Sequence, residues 1–177
     1  ITMTDNSGFF RGNGSTSKTV SIVTGTYDLN YNGSNPIGTV GNPIGNELPS
    51  STTALGDFTI SNTAATLNKN ITVNGALVLA SGSLDAGTHT LTLEGDLVSN
   101  TTGTFNLATL IFDGTTTISG TQPLTFQGFT VNSGRTLNLG PLVGNATNIN
   151  ITGNITNNGT ITGGISNVTF NGNTTLT

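Results

Sequence analysis

The chain has 177 residues, of which 33% are hydrophobic and only 7% charged, with 25 glycines, no cysteine and a net charge of −4. Its four cations, Arg11, Lys18, Lys69 and Arg135, are too few and scattered for a nucleic-acid surface. The lack of cysteine excludes a disulfide framework, and no apolar run approaches the ~20 residues of a membrane helix.

Taken in order, residues 1–53 are irregular. Val20-Ser21-Ile22 and Tyr27-Asp28-Leu29-Asn30-Tyr31 alternate like strands, and residues 35–49 are rich in Gly and Pro and read as a long loop. This region is expected to be an N-terminal cap or loop-rich β region, or else turns of a coil with a large insertion. A cap would protect the open edge that a coil otherwise leaves. From about residue 54 onward a repeat takes over. Phe58 and Ile60 precede Leu77 and Leu79 by 19 residues.

Three apolar series then run in phase. The first is an apolar–polar–apolar tripeptide backed by a turn residue, as in Ile71-Thr72-Val73-Asn74-Gly75 and Leu91-Thr92-Leu93-Glu94-Gly95. Its copies begin at Ile71, Leu91, Leu110, Phe129, Ile149 and Val168, at steps of 19 or 20. The second passes through Leu77, Leu97, Ile118, Leu137, Ile155 and Leu176, and the third through Leu84, Phe105, Leu124, Leu142 and Ile161. A three-sided coil produces this pattern when each side contributes one short strand per turn. Abundant Thr, Ile and Val suit the strands, while Gly and Asn suit the corners. No segment has helical periodicity. The expected fold is all-β, a right-handed parallel β-solenoid with three sides and about 19–20 residues per rung, over residues 54–177. The hand follows the general preference of parallel crossovers.

Asn74, Asn132 and Asn171 recur before corners and could stack as an amide ladder. The segment 168–177 resembles 110–119 at an offset of 58, about three rungs, so the coil is expected to continue into further repeats or to be met head-to-tail by a second copy. The chain is expected to be a mature form or an internal piece of something longer.

The stretch from about Phe58 to Thr177, with lines such as Ile71-Thr-Val-Asn-Gly-Ala-Leu-Val-Leu and Phe129-Thr-Val-Asn-Ser-Gly-Arg-Thr-Leu-Asn-Leu, resembles the Thr/Asn/Gly-rich β-solenoid repeats of large secreted bacterial adhesins. These include haemagglutinin-type and autotransporter-type proteins and the surface proteins of Bacteroidota-type bacteria. The resemblance implies a secreted or cell-surface location, a role in adhesion or fibre building, and self-association or further repeats as partners, with surface glycans as possible ligands. It carries no functional residue across.

Chemistry-bearing residues are sparse. Glu94, Asp96 and Asp113 form the best acidic cluster, with Glu94 and Asp113 expected one turn apart. Such a pair could share a proton or bind Ca²⁺, but two solvated turn residues are the simpler reading, and neither Lys69 nor Arg135 is an evident partner. The single His89 reads as a surface turn residue without a second zinc ligand. No catalytic residue, cofactor or metal site is therefore assigned, and the chain is not expected to be an enzyme. Outward Thr72, Thr92, Thr130 and Thr169, interrupted by Ile111 and Asn150, could match ice or glycans, or simply be good β-formers on a wet face. The sequons at Asn70, Asn100, Asn150 and Asn167 arise readily in so Asn- and Thr-rich a chain. A structural or adhesive rod is the leading expectation. A carbohydrate-binding or carbohydrate-active β-helix is the alternative, and ice binding a third.

Overall fold

Short strands that alternate buried and part-exposed side chains need neighbours on both edges, and this chain supplies them by coiling. The computed structural model describes residues 2–3, 7–12, 21–22, 25–38, 47–49, 52–61, 64–102, 105–140, 148–164, 166–171 and 175–177. The described residues are all-β, with every strand pair parallel, in a solenoid of about six turns.

One sheet has eight strands. From one end to the other these are Ser7–Arg11, Tyr27–Tyr31, Leu55–Ile60, Leu77–Leu79, Leu97–Ser99, Thr115–Gly120, Thr136–Leu139 and Thr160–Gly163. Of the two strands foreseen before residue 54, Tyr27–Tyr31 stacks on the coil, where Leu29 pairs with Phe58 and Phe58 with Leu77. Ser21–Ile22 instead pairs with Thr2–Met3 in a separate two-stranded sheet. Ser7–Arg11 is a strand the sequence pattern did not single out. A second sheet joins Ala64–Thr66, Ile71–Val73, Ser83–Leu93, Phe105–Phe112, Phe129–Val131 and Ile155–Asn157, and a third joins Leu124–Phe126, Asn148–Ile151 and Asn167–Phe170. Ser83–Leu93 is long because it turns a corner. Its first half pairs with Ala64–Thr66 and its second with Ile71–Val73, with Gly87 at φ +55° between them. A positive φ is cheap only for glycine.

Between Phe58 and Val131 the pairing follows the 19–21 step: Ile71 with Leu91, Leu91 with Leu110, Leu77 with Leu97, Leu97 with Ile118, Leu84 with Phe105. The step from Tyr27–Tyr31 to Leu55–Ile60 is longer, and Leu124 opens the third sheet instead of continuing the series from Phe105. Beyond it the expected series slips. Phe129 pairs with Ile155 rather than Ile149, Leu124 with Ile149, and Leu137 with Ile161 rather than Ile155. Partners here lie 24 to 26 residues apart. The longer step spans the chain between Leu139 and Asn148, of which residues 141–147, including Leu142, lie outside the described residues. The short step then returns, pairing Ile149 with Val168 and bridging Ile155 to Leu176.

The interior is one apolar column. Leu77, Leu84, Leu91, Leu93, Leu97, Ile118 and Leu137 are fully buried, each contributing about 1.5–3 kcal/mol of transfer free energy. Aromatic rings meet edge-to-face within and between turns, with Phe126 touching Phe105, Phe112 and Phe129 at centroid distances of 5.9, 6.3 and 5.6 Å. Such pairs add about 0.5–1.5 kcal/mol each.

Candidate functional site

Side chains on the outside of a parallel coil fall into columns, one residue per turn, so candidate chemistry is read along columns rather than along sequence. In the acidic corner, Glu94 N–H donates to the Val73 carbonyl (2.9 Å) and Asp113 N–H to that of Leu93 (2.7 Å). Glu94 and Asp113 therefore do lie one turn apart. Asp113 is not unpartnered, since its Oδ1 accepts from Arg135 Nε at 3.0 Å. The two side chains are 32% and 48% exposed, and a pair this wet contributes less than about 1 kcal/mol. Asp96 is separate and structural, accepting the Thr117 N–H of the next turn at 2.8 Å. Among the described residues no group of three or more His, Cys, Asp or Glu could hold a metal ion. His89, half-buried, lies on the strand Ser83–Leu93 just past the Gly87 corner.

The Asp96 bond repeats as a device. Asp28 accepts from Asp57 N–H (2.8 Å), Asp57 from Ala76 N–H (2.7 Å), Asn70 from Thr90 N–H (2.9 Å) and Asn154 from Thr175 N–H (3.2 Å). A short acceptor side chain on one turn thus ties the backbone of the next, which explains why Asp and Asn crowd the corners. Among the sequons, Asn70 serves this role, as does Asn100 toward Thr121 N–H at 3.3 Å. Asn150 and Asn167 make longer contacts to Asn171 and Asn148, at 3.4 and 3.5 Å. The expected ladder of Asn74, Asn132 and Asn171 does not form. Asn74 Nδ2 donates to the carbonyls of Thr52 and Leu55 (2.9 and 2.8 Å), and Asn171 lies at a different corner beside Asn150.

The threonine column is also re-sorted by the slip. Thr72 pairs with Thr92, Thr92 with Ile111, Ile111 with Thr130, and Thr130 with Thr156. Thr169 belongs instead with Asn150 and Thr125 on the third sheet. Asn150 no longer interrupts the column, but Ile111 still does.

Two polar constellations were not visible in the sequence. On the outer surface, Asp85 pairs in register with Asn106, and its Oδ1 accepts from the Gly87 N–H (2.7 Å) and from Asn106 Nδ2 (3.1 Å). Asn106 Oδ1 in turn accepts from Gln127 Nε2. This relay borders a trough of about 330 Å³ whose walls include Ser83, Thr125 and Thr152. An adjoining depression of about 310 Å³, bordered by Thr130, Asn154 and Thr156, shares Gln127 with it. The usable signal was a spacing of 21 repeated twice, on residues that directly follow apolar ones.

Inside the coil, Arg11 and Glu47 are buried and form an ion pair. Tyr31 hydroxyl donates to Glu47 Oε1 at 3.0 Å, Tyr27 hydroxyl donates to the Glu47 carbonyl, and the Arg11 guanidinium lies 5.5 Å from the Tyr31 ring centroid. Burial, reinforced by the Glu47 charge, pushes both phenols well above their usual range, with Arg11 opposing in part at Tyr31. Buried ionic groups need such partners, and the cluster pins residues 47–49 over the strands Ser7–Arg11 and Tyr27–Tyr31. Set against protein-family models, characterised proteins and solved structures, the chain matches none, and its surface is read from its own geometry.

Proposed function

We propose that this chain is a structural and adhesive repeat module of a secreted or cell-surface protein, forming a stiff rod by stacking turns. The observation that carries the reading is the eight-strand parallel ladder from Ser7–Arg11 to Thr160–Gly163. At about 4.8 Å per strand it extends about 34 Å. The tie from each turn's Asp or Asn to the next turn's backbone reinforces the ladder on its outer side. Only 7% of the residues are charged, which lets rods lie side by side with little charge repulsion.

Apolar side chains are exposed toward the far end of the coil: Phe170 (53%) on the edge strand of the third sheet and Leu176 (67%), bridged to Ile155 on the edge strand of the second. Phe10 (69%) is exposed on the outward face of the first sheet, in register with Asn30. Further turns of the same protein, or a second copy stacked head-to-tail, would cover Phe170 and Leu176. An enzymatic reading has less support, because Asp96 is spent on a backbone tie and Asp113 on Arg135. Electron microscopy of the native material tests the proposal. Rods whose axial repeat is a whole number of turns are expected. Isolated particles with self-covered ends would overturn it.

A further inference from the structure

We propose that the trough along Asp85, Asn106 and Gln127 is a binding site for an uncharged oligosaccharide, lying along the coil axis. The proposal rests on the adhesive half of the function above and says where the adhesion occurs. The two depressions that share Gln127 are each at the lower end of the size of small-molecule pockets. Together they offer length for several sugar units.

The chemistry selects the ligand. A sugar hydroxyl donates and accepts at once, so its site must present both kinds of group side by side. The relay does this. Gln127 donates to Asn106 and Asn106 to Asp85, which fixes each amide's orientation. It leaves the second N–H of each amide, Gln127 Oε1 and Asp85 Oδ2 for a ligand. Thr125, on the strand Leu124–Phe126, adds an exposed hydroxyl group. Thr152 lies beside it, with its hydroxyl donating to the Phe126 carbonyl at 3.2 Å and its lone pairs left to accept. Successive side chains in the column are separated by one turn, about 4.8 Å, close to the length of one pyranose unit. A polymer lying along the axis would therefore repeat its contacts in step with the protein.

Charge narrows the class further. Among the described residues, Asp85 is the only charged one bordering either depression, and no Lys or Arg borders them. A uronic-acid polymer or a nucleic acid would meet a carboxylate with no cation to offset it. Two of the three relay residues sit on strands, Asp85 and Asn106 within Ser83–Leu93 and Phe105–Phe112, and Gln127 occupies the short bend between the strands Leu124–Phe126 and Phe129–Val131. Little ordering cost then falls on the protein when a sugar binds.

The test is calorimetric and NMR titration of the chain with maltohexaose, cellohexaose and chitohexaose, with hexagalacturonate as the charged comparison. At least one neutral hexasaccharide is expected to saturate a single site, and hexagalacturonate to bind more weakly. Gln127→Leu, at an exposed position, should weaken binding tenfold or more while leaving the thermal midpoint within a few degrees. Asn106→Leu should act alike, and Thr92→Val, on the threonine column, should leave affinity unchanged. If Asn106→Leu fails to fold, Gln127→Leu alone decides. Absence of saturation by all three neutral sugars, binding indifferent to Gln127→Leu, or tighter binding of hexagalacturonate would overturn the proposal. Rods that form without any sugar binding would remove only the trough. Sugar binding by particles that never form rods would remove only the rod.

Discussion

Replacing Gly114 by alanine tests how closely the turns approach at a corner. Gly114 is buried and is not among the glycines with positive φ, so its backbone conformation suits alanine. Space does not. A Cβ there would fall on the Glu94 carbonyl, 2.5 Å from its carbon and 2.7 Å from its Cα. Carbon atoms need about 3.5 Å, so the turns must part by about 1 Å, and backbone cannot yield as a side-chain tip can. Overpacking of this kind costs about 1–3 kcal/mol. The flanking bonds from Asp113 N–H to Leu93 (2.7 Å) and from Thr136 N–H to Gly114 (3.3 Å) would be weakened, each normally contributing about 0.5–1.5 kcal/mol. The expected loss is about 3 kcal/mol, or roughly 6–12 °C in thermal midpoint for a chain of this size.

Two controls separate the causes. Gly163→Ala meets nothing within 4 Å and should stay within about 0.5 kcal/mol of the parent. Gly134→Ala also meets open space but holds φ at +73°, so it isolates the conformational cost of about 1–2 kcal/mol. Urea denaturation followed by circular dichroism reads all three. If Gly114→Ala lies within 1 kcal/mol of Gly163→Ala, the close approach of turns is not what demands glycine at this corner.

The interior ion pair and its phenols give two further expectations. Glu47→Ala removes the carboxylate that offsets the buried Arg11 charge and should cost about 3–5 kcal/mol by denaturation, whereas Arg11→Met combined with Glu47→Leu should recover most of it; a single variant as stable as the parent would refute the pairing. The Tyr27 and Tyr31 hydroxyls have raised pKa values in the folded state. The stability they confer is complete below the unfolded tyrosine value of about 10 and is lost as pH rises above it, because the unfolded chain then releases protons that the folded chain retains. Denaturation midpoints should fall between about pH 10 and 12, and Tyr27→Phe should shallow that slope. An unchanged slope in Tyr27→Phe would refute the assignment.

What the sequence disclosed and what it withheld divide along one physical line. Pairings such as Phe58 with Leu77, or Leu91 with Leu110, were readable because a buried apolar residue recurs once per turn. The slip after Val131 was not readable by that signal. The chain there offers Ile149 and Ile155 alike, and either fills an inward position, so the shorter step looked regular. Only backbone pairing distinguishes them. The adjacency of Glu94 and Asp113 followed from the same repeat, but Arg135 beside Asp113 did not, because a long side chain spans a turn in a direction that periodicity does not specify. Arg11 and Glu47 lie 36 residues apart, with Glu47 inside a Gly- and Pro-rich stretch that has no period at all.

The lengthened step between Leu139 and Asn148 carries a lesson about how such a chain can vary. Strands on both sides of it keep their partners: Leu137 with Ile161, Ile149 with Val168. The ladder thus continues across a longer stretch of chain without losing a rung. Loop length is entropically inexpensive, and in a stacked array a change in one unit is felt mainly by its immediate neighbours. Corners of this fold are therefore places where descendants of one sequence can gain or lose residues and acquire new surface features while the shaft beneath stays the same.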